Sequence, residues 1–256
     1  MQTKLLNWAK ETYQTYRNLV KRYGDIGFYN QTPLGDLQES VKVVVMGNNP
    51  YSESSFSDMQ KNPKWGFDKL GEEARHLIRG NVFWQEEHTE WCYWCITMRL
   101  LSQAYPGIKE NEAKECVFTN AAFFNTLKAE ELDKYKGLYK ETLPCTLKLI
   151  EILSPEMVLN LAPNNFNRMR STLGSDFERE EVFGRSLMLG RYKGILFVGI
   201  YHPSAQLSTP DYRKRVTKAL DLIRKDRDLS IREKGDFSIE KIASHLKESY
   251  GKEWNK

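Results

Sequence analysis

The sequence has few cysteines and no long apolar run, and each shortage excludes a class of protein. The longest apolar runs, 43–46 and 195–201, fall far short of the roughly 20 residues that cross a bilayer, so we expect no membrane-spanning protein. The N-terminus has no apolar stretch of signal-peptide length, which predicts a cytoplasmic location. In such a chain, the four cysteines at 92, 95, 116 and 145 indicate thiols rather than a disulfide framework.

The composition is that of a folded domain with a modest excess of positive charge. A 256-residue chain with 40% hydrophobic and 12% aromatic residues has enough apolar surface to bury a core. The 38 Lys and Arg residues against 34 Asp and Glu give a net charge of +4. This balance permits an anionic partner without requiring one.

Short apolar runs alternate with helical stretches along the chain. The runs at 42–46, 115–119, 157–161 and 195–200 are typical of strands buried on both faces of a sheet. Helices are predicted at 5–23, 89–104, 138–153, 163–173 and 209–227. The alternation predicts an α/β fold, a three-layer sandwich with a central, mostly parallel four-stranded sheet flanked by helices.

The predicted domain covers residues 1–228, and residues 229–256 form a charged appendage. The appendage contains one amphipathic helical pattern, from Phe237 to Leu246. It is either a packed flap or a surface that binds a partner.

Polar residues follow three of the predicted strands. They lie in the segments 47–52, 120–125 and 201–208, and they supply carboxamides, hydroxyls and one imidazole. In open α/β sheets the site lies at the carboxyl ends of the strands, so we expect these groups to share one rim. No carboxylate cluster or cysteine is among them, which favours hydrogen bonding over metal or thiol chemistry. Each group also has a plainer interpretation, as a turn, a backbone cap or a packed histidine.

The three segments together resemble the signature of the uracil-DNA glycosylase superfamily. They read Gly47-Asn48-Asn49-Pro50-Tyr51, Thr119-Asn120-Ala121-Ala122 and His202-Pro203-Ser204. They occur in the order of that family, and the resemblance covers about residues 41 to 225.

The resemblance implies a hydrolysis that needs no cofactor and no metal. Asn49 would position the water beneath the sugar, and because a carboxamide is a very poor base, turnover would be slow. His202 would donate a hydrogen bond to the pyrimidine O2 as negative charge develops there. Asn120 would bind the amide edge of a base that has left the stack.

The resemblance also implies a base pocket and a DNA-binding surface. Gly47 and Asn48 would line the pocket with Tyr51, which would crowd the pyrimidine C5 position. Phe67 is the first choice for the ring that stacks on the base, and Phe56 is the second. The residues implied to contact DNA are Pro50, Ser52, Pro203, Ser204, Arg213 and either Leu207 or Gln206, one of which would fill the gap left by the flipped nucleotide.

The leading hypothesis is therefore a monofunctional DNA glycosylase, a monomer that acts on single- or double-stranded DNA and removes uracil by default. The aromatic-rich segment 56–94 suggests a variant that excises a bulky modified pyrimidine from foreign (phage) DNA. Asn49 in place of Asp leaves open a weakly active or inactive nucleic-acid-binding module. An unrelated α/β hydrolase is disfavoured because no Gly-x-Ser-x-Gly elbow is present.

The pair Cys92 and Cys95 also suggests a cluster-binding glycosylase, with Cys116 and Cys145 as the remaining ligands. In such relatives the close pair precedes the first polar loop, whereas here it follows that loop. Packing of this segment as a buried helix face is the better explanation.

Overall fold

We describe a computed structural model of the chain. The described residues are 1–28, 30, 34, 41–49, 55–61, 77–78, 92–109, 115–126, 136–204 and 206–254. Their helices are α1 (Gln2–Tyr23), α2 (Phe56–Lys61), α3 (Cys92–Ala104), α4 (Lys136–Leu153), α5 (Asn164–Leu173), α6 (Pro210–Lys234) and α7 (Ile239–Trp254). Their strands are β1 (Val43–Gly47), β2 (Cys116–Asn120), β3 (Met157–Asn160), β4 (Phe177–Glu181), β5 (Met188–Tyr192) and β6 (Ile195–Gly199).

The fold is α/β, with a mixed six-stranded sheet flanked by helices in the strand order β2-β1-β3-β6-β5-β4. The pairs β1–β2 and β3–β6 are parallel, whereas β5 runs antiparallel to both β6 and β4. The four predicted strands correspond to β1, β2, β3 and β6, but the prediction of a four-stranded, mostly parallel sheet is corrected by two further antiparallel strands. A tight turn with positive φ at Lys193 (47°) and Gly194 (76°) joins β5 to β6, the geometry that suits a two-residue hairpin.

The chain divides into two compact units, Met1–Thr89 with Lys114–Pro155 and Glu90–Ala113 with Glu156–Lys256. In the first unit, β1 and β2 are buried along their whole length, and α1 packs against α4. The Trp8 indole donates to the Cys145 carbonyl at 2.8 Å and meets the Phe123 ring edge-on at 5.8 Å. Burial of these aromatic side chains gives this unit a core of its own.

In the second unit, one phenylalanine lies across two glycines. A Cβ at Gly199 would lie 2.8 Å from the Phe166 ring, and a Cβ at Gly190 would lie 2.9 Å from it and 2.6 Å from Phe177. Real Cβ atoms do not approach other atoms so closely, so both strand positions require glycine for close packing rather than for a turn.

The C-terminal segment belongs to the packed part of this second unit. Helix α6 continues through the predicted boundary after Asp228 to Lys234. Helix α7 packs against α6, β4 and β5, and it buries Ile242 and Leu246 completely or almost so. Its last residue, Trp254, stacks on Phe183 with ring centroids 4.4 Å apart and donates from Nε1 to Ser186 Oγ at 2.7 Å.

The described helices include none that combines the length and the apolar character needed to cross a membrane.

Candidate functional site

The chain that follows β1 stays paired with the chain that follows β2. The Ala121 and Ala122 amides donate to the carbonyls of Gly47 (2.9 Å) and Asn48 (3.0 Å). Backbone pairing therefore continues for two residues beyond the end of β2 and one residue beyond the end of β1. It fixes the first two polar segments of the sequence side by side.

The Asn49 carboxamide is held by Phe124 and Thr126, which lie two and four residues after Ala122. Its Nδ2 donates to Thr126 Oγ1 at 2.7 Å and to the Phe124 carbonyl at 3.3 Å. An amide nitrogen carries two hydrogens, and these two bonds use both. The orientation of the carboxamide is thereby set, and Oδ1 lies on the side away from Thr126.

Asn120 ends β2 and is buried, with 3% of its surface exposed. Its carbonyl accepts from Thr146 Oγ1 at 3.1 Å. Its side-chain Nδ2, by contrast, is buried and has no hydrogen-bond partner among the described residues. An unsatisfied buried donor costs about 1–3 kcal/mol, which an acceptor on a bound molecule would remove.

A buried tyrosine secures the segment between Asn120 and Thr126. The Phe123 amide donates to Tyr16 Oη at 2.7 Å, and the Asn125 amide donates to the Gly27 carbonyl at 3.0 Å. Burial raises the pKa of Tyr16 well above its ordinary value, so its hydroxyl stays neutral. Helix α1 thus fixes the backbone that holds Asn49.

His202 lies two residues beyond the buried Ile200, and Ser204 determines its protonation. Nδ1 of the ring is 3.2 Å from the Ser204 amide and 2.7 Å from Ser204 Oγ. A backbone N–H can only donate, so Nδ1 accepts and the neutral ring carries its proton on Nε2. Burial lowers the pKa of His202, which favours this neutral form. The arrangement leaves an uncharged N–H donor at Nε2.

Tyr93 covers one face of the His202 ring. The two rings are stacked, with centroids 5.3 Å apart and an interplanar angle of 16°. Tyr93 lies in the first turn of α3, in the segment interpreted from sequence only as packing. The sequence pattern does not distinguish Tyr93 from the other aromatic residues of this segment, because each of them fits a buried helix face.

The start of the His202 segment is secured by Tyr212. The Tyr201 amide donates to Tyr212 Oη at 3.1 Å, and this hydroxyl donates to the Ser186 carbonyl. The Tyr212 ring meets Trp254 edge-on at 6.2 Å. Side chains from α6 and α7 therefore support the backbone that leads to His202.

Several predicted site residues lie where the structure gives no description. Pro50, Tyr51, Ser52 and Phe67 lie outside the described residues, as do the side chains of Phe56, which begins α2, and Gln206. Their roles stay predictions.

Four predicted DNA contacts lie among the described side chains of the second unit. Pro203 is buried and Ser204 is exposed, while Arg213 donates to the Ser208 carbonyl at 3.4 Å. Leu207 is completely buried. A side chain that enters the DNA stack must be exposed, so in this conformation Leu207 is a core residue and insertion would require the 206–208 turn to move.

Two further cations of α6 bond to the C-terminal helix. Arg215 donates to the carbonyls of Glu253 and Trp254 at 3.1 and 3.2 Å. Lys218 pairs with the Glu253 carboxylate at 3.0 Å. These bonds join α6 to α7.

The cysteines show no arrangement for a cluster in the described part of the chain. Cys95, Cys116 and Cys145 form no disulfide. Burial raises the pKa of the Cys116 thiol to about 12, which disfavours the thiolate that a metal needs. Within the described ranges, no group of three or more His, Cys, Asp or Glu residues is placed to hold a metal ion.

No protein-family model matches the chain, and no curated protein matches it significantly.

Proposed function

We propose that the protein is a monofunctional DNA glycosylase that hydrolyses the N-glycosidic bond of a flipped-out pyrimidine, with uracil as the default base. The observation that carries the proposal is the buried Nδ2 of Asn120, which lacks a partner among the described residues. A ligand acceptor at this atom would satisfy it.

The chemistry of this donor favours one class of base. Uracil and thymine present a carbonyl oxygen at C4, which accepts a hydrogen bond, whereas cytosine presents an amine there, which donates. A buried N–H facing an amine would remain unsatisfied. The Asn120 amide therefore supports a 4-oxo pyrimidine as the base.

His202 supports the same reaction by its protonation. Breaking the glycosidic bond leaves negative charge on the base, and a neutral N–H donor stabilises that charge through a hydrogen bond. The bonds from Ser204 to Nδ1 keep the proton on Nε2, where it would serve the pyrimidine O2.

Asn49 supports hydrolysis by water rather than attack by a side chain. Its Nδ2 is committed to Thr126 and Phe124, so Oδ1 is the atom that would accept a hydrogen from the attacking water. A carboxamide orients water but hardly takes up its proton. We expect slow turnover.

Base release from labelled oligonucleotides tests the proposal. The panel carries uracil, a thymine mismatch, 5-substituted uracils and modified cytosines, each in single- and double-stranded DNA. We expect alkali-labile abasic sites at a 4-oxo pyrimidine, and losses of about 100- to 1,000-fold for His202→Ala and Asn120→Ala. His245→Ala and Asn18→Ala are matched controls, since the first pairs with Asp226 on the surface and the second lies exposed on α1.

Two results would reject the proposal. Binding of DNA with no base released from any substrate would indicate a binding module. Release that His202→Ala and Asn120→Ala leave unchanged would assign the chemistry to other residues.

A further inference from the structure

A threonine that no sequence motif singled out contacts the residue proposed to position water. Thr126 Oγ1 accepts from Asn49 Nδ2 at 2.7 Å, the shorter of that atom's two bonds. Thr126 itself is buried. From this contact we infer that Thr126 is a positioning residue, which orients the Asn49 carboxamide for water and makes position 49 specific for an amide over a carboxylate.

Two acceptors select the orientation of the Asn49 carboxamide. Thr126 Oγ1 and the Phe124 carbonyl both present lone pairs to position 49, and only the NH2 end of a carboxamide can satisfy the two together. If the carboxamide turned over, its oxygen would face the Phe124 carbonyl. Two acceptors in contact repel, so the contacts select one of the two orientations.

The backbone around Phe124 is held in place and cannot easily shift to suit another side chain at position 49. Phe124 is buried, and the backbone on either side of it is bonded to Tyr16 Oη and the Gly27 carbonyl. A buried carbonyl so placed cannot rotate away without losing those bonds. Position 49 therefore meets a fixed pair of acceptors.

The same contacts disfavour an aspartate in place of Asn49. A carboxylate at 49 would place an oxygen about where Nδ2 now lies, against the Phe124 carbonyl, and the Thr126 hydroxyl could donate to only one of its oxygens. An aspartate is the better general base in water. Here its oxygens would be displaced from the position that orients the water, and a displacement of about 1 Å can cost about 100-fold in rate.

Side-chain NMR tests the orientation independently of activity. We expect the Asn49 NH2 protons to exchange with solvent about 10-fold or more slowly than those of the exposed Asn18. Thr126→Ser, which keeps the hydroxyl, retains this protection, and Thr126→Val, which has the same shape without it, loses it. Equal exchange at Asn49 and Asn18 in the unchanged protein overturns the inference, even if the valine variant does not fold.

Single-turnover base release tests the consequence, which rests on the proposed function. We expect Thr126→Val to slow release by about 100-fold with unchanged DNA affinity, and Thr126→Ser to restore it. Asn49→Asp should be slower than the unchanged protein at neutral pH, and a faster Asn49→Asp enzyme overturns the amide specificity. If no protein releases a base, the proposed function fails while the NMR result still decides whether Thr126 orients Asn49.

Discussion

The segment that holds Asn49 and Asn120 and the segment that holds His202 are secured in different ways. After β2, successive backbone amides are bonded: those of Ala121 and Ala122 to carbonyls, and that of Phe123 to a buried phenol. After β6, the Tyr201 amide is bonded to one tyrosine hydroxyl and the imidazole is covered by one tyrosine ring. The first segment is held mainly by backbone–backbone bonds, with the Tyr16 phenol in addition, and the second mainly by aromatic side chains, with one backbone bond from the Ile200 amide to the Asn160 carbonyl.

Because their supports differ, the two segments should tolerate different substitutions. Backbone bonds survive most substitutions in the segment itself, because the amides and carbonyls remain. Support from side chains is lost with a single substitution at a distance. We therefore expect the His202 segment to be the one more easily disturbed from outside.

The largest effect is expected from Trp254→Ala. Trp254 stacks on Phe183, donates to Ser186 and meets the ring of Tyr212. Removing a packed tryptophan should lower the free energy of unfolding by about 3 kcal/mol and shift the NMR signals of His202. Denaturant unfolding measures the first effect. Leu229→Ala, at a side chain with 56% exposure, is the control, and an equal loss there would contradict the comparison.

A smaller effect is expected from Tyr16→Phe, which removes one acceptor from the first segment. The Phe123 amide would remain buried without its partner, so the free energy of unfolding should fall by about 1–3 kcal/mol. Tyr23→Phe is the matched control, because the Tyr23 hydroxyl makes an exposed bond to Glu141 at 3.3 Å. Stability unchanged by Tyr16→Phe would show that the neighbouring backbone bonds suffice.

The smallest effect is expected from the protonation of His202. Above about pH 6.5 the ring is neutral in both the folded and the unfolded chain. As the pH falls below this value, the unfolded chain takes up the proton first, because burial lowers the pKa of His202 in the folded state, and folded stability declines until the folded pKa is passed.

Tyr93 sharpens this test. Tyr93→Ala should admit water to the ring and raise the His202 pKa towards its ordinary value, whereas Tyr93→Phe should leave it low. NMR titration of the imidazole measures the pKa. Unfolding at about pH 7.5 and about pH 5.5 should show a larger acid loss for the unchanged protein than for His202→Gln. Identical losses would mean that His202 titrates alike in both states.

The sequence predicted the strands that form continuous apolar runs and missed the two that do not. Runs such as Val43-Val44-Val45-Met46 have no interpretation but burial, and they form β1, β2, β3 and β6. Strand β4, Phe177–Glu181, has one apolar residue followed by four charged ones, because its alternate side chains reach solvent. Strand β5 is interrupted by Gly190, whose missing side chain makes room for Phe166.

The candidate site was predictable where a residue follows a strand and unpredictable where it supports one. Asn49, Asn120 and His202 stand out because polar groups end apolar runs. Thr126, Tyr16 and Tyr212 act through single hydroxyls from other parts of the chain. A tyrosine at a helical apolar position has the same pattern whether or not its hydroxyl is bonded, so periodicity alone cannot distinguish the two.

The close contact of Phe166 with Gly190 and Gly199 has a consequence for how the sequence can vary. A larger residue at either glycine is blocked by the ring, and a smaller residue at 166 would leave a void above both. A change at Gly199 should therefore be acceptable when it is paired with a smaller residue at 166, such as alanine at 199 with leucine at 166, whereas a side chain at 190 would still meet Phe177. Substitutions at positions 166 and 199 should therefore occur together, although the two positions are 33 residues apart in the chain.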